Sequence, residues 1–279
     1  MKAGVIGLGG VGAGVALCLA RAGLLCAVYD VRADAATGLD GVPGCAESPA
    51  ELARVCDVIV IAVVNAQQTI DVLSGPDGIL ATARPGTVLI LQSTVSMEDL
   101  GLIRSIAAAA NVGLVDAGVA AGARSAEKGI ISMVGATDED YQKALPVLEG
   151  FSRYVARMGG PGAGMMGKIA RNAIVFGAIR AGYEGSMLAK AAGVDVAQFV
   201  KVMEDSVDGV TGPMAIARRP ADPLSDEDEA KVRAMMRKFM LKDMDAGMEL
   251  AEVLGVHMPM LVLARDTIDE TVAFRQKDL

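Results

Sequence analysis

A glycine-rich turn near the start of the chain, Gly7-Leu8-Gly9-Gly10-Val11-Gly12, is the feature that most constrains the fold. The mostly apolar residues 2–6 before it predict a buried strand, and the alanine-rich residues 11–22 after it predict a helix. Residues 25–29 then predict a second strand. In such a unit the first glycine permits the tight turn, the second lets a ligand approach the backbone, and the third lets the helix pack against the strand.

An acidic residue, Asp30, follows the second strand, 18 positions after Gly12. In this β-α-β arrangement the helix N-terminus binds a pyrophosphate and the carboxylate binds a ribose hydroxyl, which predicts a dinucleotide site. The carboxylate repels a 2′-phosphate and favours NAD, although Arg32 partly offsets the repulsion and leaves NADP possible. A glycine-rich turn without a ligand is the alternative. The predicted cofactor residues here are Gly7, Leu8, Gly9, Gly10, Val11, Gly12, Asp30, Val31 and Arg32.

Helices and strands continue to alternate, with strands predicted over 58–64, 87–91 and 113–115. Ligands of an open parallel sheet lie at the carboxyl ends of its strands, so the residues that follow these strands are candidate contacts. Ser96, before an acidic helix start, is predicted to be an N-cap instead. The candidate cofactor contacts are Val64, Asn65 and Thr94, and Ser93 is a candidate for cofactor and substrate.

The third of these strands is predicted to end at Asp116 and to lead into a stretch of small residues. Small residues with adjacent amides suit close approach to a ligand, and Arg124 is suited to bind a carboxylate. A flexible surface turn is the alternative. The substrate candidates in this stretch are Ala120, Ala121, Gly122 and Arg124.

After Pro161 the pattern becomes helical, beginning with a helix of about 28 residues over 165–192. Shorter helices are predicted over 196–203, 231–254 and 260–275, and residues 220–229 read as an acidic loop or helix start. The expected fold is an α/β Rossmann dinucleotide-binding domain, residues 1–161, followed by an all-helical substrate and oligomerisation domain, residues 162–279. The long helix is expected to join them.

Lys168 and Asn172 share one face of that long helix because they are four residues apart. Hydride transfer to or from an alcohol carbon also requires a proton at the oxygen, and the one histidine, His257, lies in a short turn without catalytic neighbours. Lys168 is therefore the predicted acid–base residue, with a pKa lowered by partial burial, and Asn172 is the predicted substrate anchor. An exposed helix lysine is the alternative.

Composition excludes several other classes of function. The formal charge of −8 and the pI of about 4.8 give no electrostatic footprint for nucleic acid. The four cysteines fall in apolar or isolated positions of the first fifth of the chain, which predicts neither a disulfide framework nor a metal site. The apolar residues 3–20 are too short and too rich in glycine for a membrane span, and the recurring glycines and the terminating Arg21 argue against a signal peptide. A cytoplasmic protein is expected.

These motifs together resemble the β-hydroxyacid dehydrogenase family, which includes 3-hydroxyisobutyrate dehydrogenase. The resemblance rests on the glycine-rich turn, Ser93-Thr94, Asp116-Ala117, Gly162-x-Gly164-x-x-x-Lys168-x-x-x-Asn172, and Lys242-Asp243. It implies that Lys168 is catalytic, that Asn172 anchors the substrate, and that Lys242 contacts both nicotinamide and substrate. It also implies a homodimer or homotetramer, and a small β-hydroxy acid or its semialdehyde as the partner in hydride transfer with NAD(P).

The chain departs from the family pattern at its predicted substrate turn. The family usually has Pro-Val-Ser-Gly-Gly where this chain has Gly118-Val119-Ala120-Ala121-Gly122. The serine hydroxyl is missing at Ala120, so the substrate carboxylate is expected to be held differently, or the substrate to be atypical. Two alternatives stay open: a reductase of another electrophile such as an imine, and a dinucleotide-binding regulatory protein without turnover.

Overall fold

The structure is a computed structural model of the 279-residue chain and describes residues 1–120, 122–206, 212 and 226–273. The chain divides into two compact units, residues 1–171 and 172–279. No described helix has the length and apolar composition that a membrane-spanning helix requires.

The first unit is built on one seven-stranded sheet. Its strands are β1 (Ala3–Ile6), β2 (Leu25–Tyr29), β3 (Val58–Ile61), β4 (Val88–Leu91), β5 (Gly113–Ala120), β6 (Ile130–Gly135) and β7 (Ser152–Gly159). Their spatial order is β2-β1-β3-β4-β5-β6-β7. The strands β1 to β5 are parallel to one another, β6 is antiparallel to β5, and β7 is parallel to β6.

Both faces of the sheet are covered, which explains its nearly continuous apolar strands. The covering helices are α1 (Gly12–Arg21), α2 (Pro49–Val55), α3 (Ala66–Leu73), α4 (Met97–Ala109) and α5 (Asp138–Phe151). Val58 and Val60 of β3 join the buried cluster that contains residues of α1 and α5. Ile59 and Ile61 join the cluster that contains residues of α2, α3 and α4. The carboxyl ends of the parallel strands therefore meet at one edge, where sheets of this type bind ligands.

The described part of the second unit is helical. After the 29-residue helix α6 (Ala163–Ala191), inside which the unit boundary falls, the chain forms α7 (Val196–Ser206), α8 (Asp226–Leu254), α9 (Pro259–Asp266) and α10 (Ile268–Ala273). Gly193, with a φ of +76°, follows α6 as predicted. Within this unit the buried Glu184 accepts a 2.9 Å hydrogen bond from the backbone amide of Met260 at the start of α9. The predicted Rossmann fold followed by helices is confirmed.

Three local predictions are wrong. Strand β3 ends at Ile61 instead of residue 64, because the chain turns there into α3, a helix that the sequence analysis did not predict. Strand β5 continues past Asp116 to Ala120, because its second half pairs with β6. The predicted last helix breaks at Thr267 into α9 and α10. Its predicted end at 274–275, like residues 220–225 of the acidic stretch, lies outside the described residues.

Candidate active site

The glycine-rich turn between β1 and α1 has the geometry that a dinucleotide phosphate requires. Gly7 has a φ of +89°, which residues with a side chain rarely adopt. A Cβ at Gly12 would overlap the Gly7 carbonyl oxygen, so only glycine lets the helix begin so close to the turn. No side chain among the described residues caps the N-terminus of α1. The partial positive charge of that helix end is therefore available to an anion.

Asp30, at the end of β2, is fixed by its neighbours. Its carboxylate accepts hydrogen bonds from the backbone amides of Leu8 at 2.7 Å and Arg32 at 3.0 Å. It also forms a 2.9 Å ion pair with the Arg32 guanidinium. These bonds lower the pKa of Asp30 from 3.8 to about 2, and the bond from the Arg32 side chain has the largest effect. The carboxylate is thus ionised at neutral pH and held beside the glycine-rich turn.

Two cavities border this turn and bring most of the predicted site residues together. The first measures about 340 Å³, and its lining includes the predicted cofactor residues Gly7, Gly9, Asp30, Val31, Arg32 and Val64. The second measures about 470 Å³, and its lining includes the predicted residues Gly9, Gly10, Val11, Val64, Ser93, Thr94, Ala120 and Lys168. Because the two cavities share Gly9 and Val64, the predicted lysine lies in a cavity that adjoins the Asp30 cavity. The residues present therefore fit a nicotinamide dinucleotide.

The start of α6, the helix that carries Lys168, is fixed by a fully buried carboxylate inside β5. Asp116 accepts hydrogen bonds from the backbone amides of Gly162 at 2.6 Å and Met165 at 2.8 Å. The guanidinium of Arg104 lies 3.3 Å from the same carboxylate. A carboxylate at this position satisfies amides that a helix start leaves unpaired and complements the helix dipole. Because Lys168 follows Met165 by three residues, Asp116 also sets the position of the lysine relative to β5.

Lys168 is half-buried, and its Nζ donates a 2.5 Å hydrogen bond to the backbone carbonyl of Val119. Burial lowers the pKa of Lys168, and the nearby Arg171 guanidinium lowers it further. The direction is the one predicted from partial burial. The stem of the lysine packs directly on Gly118, where a Cβ would lie only 3.0 Å from Lys168 Cγ. The site therefore holds a lysine whose amine deprotonates more readily than an exposed one, as proton exchange near neutral pH requires.

Several predicted residues of the first unit lie elsewhere or serve another purpose. The Asn65 side chain accepts a hydrogen bond from the backbone amide of Gln68 and thereby caps α3. Arg124 forms an exposed 3.2 Å ion pair with Glu127. Neither is among the described residues that line the two cavities. Gly122 begins a short 3₁₀ segment, Gly122–Glu127, and the preceding Ala121 lies outside the described residues. Ser96 caps α4 as predicted, accepting from the amide of Asp99.

Two predicted residues belong to the second unit. Asn172 follows Lys168 by one turn of α6. Lys242 lies in α8, where its largely exposed ammonium is 3.1 Å from the Asp243 carboxylate. Their roles as substrate anchor and nicotinamide contact remain predictions.

The structure adds three residues that the sequence analysis did not place in the site. Gln92 directly follows β4 and lines the second cavity. Its position at a strand end was the signal that could have identified it. Arg171 lines the same cavity, and its spacing of three residues from Lys168 was a usable signal. Asp116 belongs to a motif of the family resemblance, but no local pattern indicates its partners, which are 46 and 49 residues further along the chain.

Comparison with known families divides the chain into two matched segments. Residues 2–160 match the NAD binding domain of 6-phosphogluconate dehydrogenase. Residues 162–279 match the family described as NAD-binding of NADP-dependent 3-hydroxyisobutyrate dehydrogenase. Together the two segments account for nearly the whole chain.

Individual relatives cover the chain almost from end to end. An uncharacterised oxidoreductase of Mycobacterium tuberculosis is 34% identical over 275 residues, which is 94% of this chain and 90% of the relative. L-threonate dehydrogenase of Escherichia coli is 30% identical over 261 residues, covering 92% of this chain and 84% of the relative. The crystal structure of a putative oxidoreductase from Mycobacterium avium superimposes with a TM-score of 0.86 at 31% identity, covering 97% and 98% of the two chains.

Proposed function

We propose that Lys168 exchanges the proton of the substrate oxygen in this chain, which belongs to the 3-hydroxyisobutyrate dehydrogenase-like group of the β-hydroxyacid dehydrogenase family. As a member of that family the chain is an NAD(P)-dependent oxidoreductase. The substrate class that fits best is a short β-hydroxy acid or its semialdehyde. The observation that carries the proposal is the placement of Lys168, with its lowered pKa, in the cavity that borders the dinucleotide turn.

When bound, the cofactor accepts or supplies the hydride, and the chain has to manage the proton. In the oxidation direction, neutral Lys168 takes the proton from the substrate hydroxyl. One N–H of the amine donates to the Val119 carbonyl, so the lone pair points away from that carbonyl. In the reduction direction the ammonium returns the proton to the carbonyl oxygen. Burial lowers the pKa of Lys168, which makes its neutral, proton-accepting form easier to reach than in an exposed lysine.

A cation for the substrate carboxylate is present in the same cavity. Arg124 is the residue predicted for this role, but it is not among the described residues that line the cavity, whereas Arg171 lines it together with Lys168. A guanidinium is well matched to a carboxylate because it offers two parallel N–H donors. We therefore assign carboxylate binding to Arg171 and retain Asn172 as the predicted anchor of the reacting oxygen.

NAD is the proposed cofactor, because Asp30 is ionised and would repel a 2′-phosphate. The test compares kcat/KM for NAD and NADP in the wild type and in Asp30→Ser, which removes the negative charge and leaves Arg32 available to a phosphate. We expect the wild type to prefer NAD and the variant to shift toward NADP by at least tenfold. A wild type that prefers NADP would contradict this assignment.

The role of Lys168 is tested by turnover with short hydroxy acids and semialdehydes in wild type, Lys168→Ala and the exposed control Lys201→Ala. We expect Lys168→Ala to lose about 10²- to 10⁴-fold in kcat while its NADH affinity stays within threefold of wild type. Arg171→Met is expected to raise the pKa of Lys168 and, in the oxidation direction, to move the acid limb of the pH profile to higher pH. Wild-type activity in Lys168→Ala would refute the mechanism.

Self-association is part of the proposal, because the second unit exposes large apolar side chains. On α6, Phe176 is 63% exposed and Ile179 is 62% exposed, and on α8, Phe239 is 55% exposed. Large exposed apolar side chains are typical of subunit interfaces. We expect a homodimer or homotetramer in light scattering, and dissociation in Phe176→Lys. A monomer at micromolar concentration would contradict this expectation.

A further inference from the structure

Gln92 has a buried pair of unpaired hydrogen-bonding groups and is one of the residues that line the candidate active site. The residue directly follows β4, is 4% exposed, and lines the same cavity as Lys168. Its backbone amide is used, donating to the Ile61 carbonyl at 2.9 Å. Its side-chain Nε2 and Oε1 are both buried, and neither has a hydrogen-bond partner among the described residues. Among those residues, Gln92 alone leaves buried side-chain polar atoms unpaired.

Two of the polar side chains that line the cavity with Gln92 already have protein partners. The Ser93 hydroxyl donates to the Val63 carbonyl at 2.6 Å, and Lys168 donates to the Val119 carbonyl. Buried polar groups in folded proteins are nearly always paired, so an unpaired amide in a cavity wall calls for a partner that enters the cavity. A methionine of similar shape would fill the position without unpaired polar atoms.

We propose that Gln92 is a specificity-determining residue that binds a hydroxyl of the substrate other than the one that reacts. This inference rests on the proposed function. A carboxamide offers one donor group and one acceptor, and both are unpaired here. A carboxylate has no donor and would satisfy Nε2 alone, whereas an alkyl group would satisfy neither atom. A hydroxyl both donates and accepts, so the geometry points to a short polyhydroxy acid instead of a branched alkyl hydroxy acid.

The composition of the cavity wall supports this assignment. Ala120, at the end of the neighbouring strand β5, lines the cavity without a hydrogen-bonding side chain. Gln92 supplies from the end of β4 the polar group that the β5 segment lacks. Arg171 provides charge for the carboxylate, which leaves the neutral amide for a neutral polar group of the substrate. A site built to hydrogen-bond a hydroxyl discriminates strongly against the analogue that lacks it.

The test uses two β-hydroxy acids that differ by one hydroxyl, glycerate and 3-hydroxypropionate. Their kcat/KM values are compared in wild type, Gln92→Met and the exposed control Gln198→Met. We expect Gln92→Met to lose about 10- to 100-fold on glycerate and to stay within threefold of wild type on 3-hydroxypropionate. An equal loss on both acids, with a raised KM for NAD, would instead assign Gln92 to the nicotinamide carboxamide and overturn the proposal. Unchanged selectivity would also overturn it.

Two measurements keep the test independent of turnover. Calorimetric titration of the NADH-bound protein with each acid is expected to show a tenfold or greater loss of glycerate affinity in Gln92→Met alone. The melting temperature of ligand-free Gln92→Met is expected to rise by a few degrees, because the unpaired amide is removed. A lower melting temperature would show that the amide has a structural role and would overturn the proposal. If neither acid turns over but glycerate binding still depends on Gln92, the proposed chemistry fails while this binding assignment stands.

Discussion

Replacing Gly118 by alanine is expected to displace the proposed acid–base residue. Gly118 lies in β5 with Met133 of β6 as its register partner. A Cβ at this position would lie 3.0 Å from Lys168 Cγ and closer still to Lys168 Cβ, whereas ordinary van der Waals contact begins at 3.4 Å. The two elements therefore have to separate by roughly 0.5 to 1 Å, since close-packed interiors leave no free space. Because β5 is hydrogen-bonded to strands on both sides, we expect α6 and Lys168 to move.

The size of the effect follows from that displacement. A misplacement of about 1 Å at a reacting group costs about 10²-fold in rate, which corresponds to about 2.7 kcal/mol of transition-state stabilisation. Overpacking of the same contact is expected to lower the free energy of unfolding by about 1 to 3 kcal/mol. The two effects are separable, because kcat is measured at saturating cofactor and substrate on folded protein, and the unfolding free energy is measured by urea denaturation.

The matched control adds the same methyl group where nothing has to move. Gly101 lies exposed on α4, and a Cβ there would meet no atom within 4 Å. Gly101→Ala is expected to keep the wild-type kcat and to gain about 0.5 to 1 kcal/mol of stability. If Gly118→Ala folds, binds cofactor and keeps kcat within threefold of wild type, the argument that β5 positions Lys168 is refuted.

Three further outcomes are expected. Asp116→Ala leaves two backbone amides at the start of α6 without their buried carboxylate. The free energy of unfolding, measured in urea, should therefore decrease by about 3 kcal/mol. A decrease of less than about 1 kcal/mol would contradict this expectation. The pKa of Asp30 is lowered from 3.8 to about 2, so its ionised form stabilises the fold above about pH 4 and this contribution is lost as the pH falls toward 2. The free energy of unfolding of the wild type should exceed that of Asp30→Asn by about 1 kcal/mol, a figure that allows for the exposure of Arg32. This difference should be constant above about pH 5 and shrink below about pH 4. A pH-independent difference would argue against the ion pair. The pKa of the Cys26 thiol is lowered to about 7, chiefly by its hydrogen bond with the Cys56 thiol 3.3 Å away. The rate of Cys26 alkylation should therefore be half-maximal near pH 7 in the wild type, and this midpoint should move above about pH 8 in Cys56→Ala. An unchanged pH profile would be inconsistent with that hydrogen bond.

The sequence predicted those features that depend on neighbours close in the chain. The glycine-rich turn, Asp30 at the end of β2, and the cap at Ser96 are each defined within a few residues, and each is found where expected. The missed helix α3 also had a local signal, because Asn65 precedes Gln68 by three residues and caps its amide. That signal was read as a ligand contact instead.

Features that depend on distant partners could not be read in the same way. The extension of β5 to Ala120 depends on pairing with β6, which begins ten residues later and runs in the opposite direction. The assignment of a substrate carboxylate to Arg124 depended on its place in a small-residue segment, whereas its nearest charged partner is Glu127. The break at Thr267 has neither glycine nor proline to mark it. Sequence patterns describe local preference, and these outcomes depend on tertiary contacts.

Strand β5 has as large a part in the proposed chemistry as the lysine itself. Three residues of this strand act on α6 or on Lys168: the Asp116 carboxylate fixes the helix start, Gly118 receives the lysine stem, and the Val119 carbonyl accepts a hydrogen bond from the amine. The departures from the family's usual Pro-Val-Ser fall within this same segment, at Gly118 and Ala120. A residue with a Cβ at position 118 would force α6 away from β5, and a serine at position 120 would provide a hydroxyl that this chain lacks. The same strand therefore positions the proposed acid–base residue and carries departures from the family pattern, so we expect substitutions in β5 to alter rate and selectivity together.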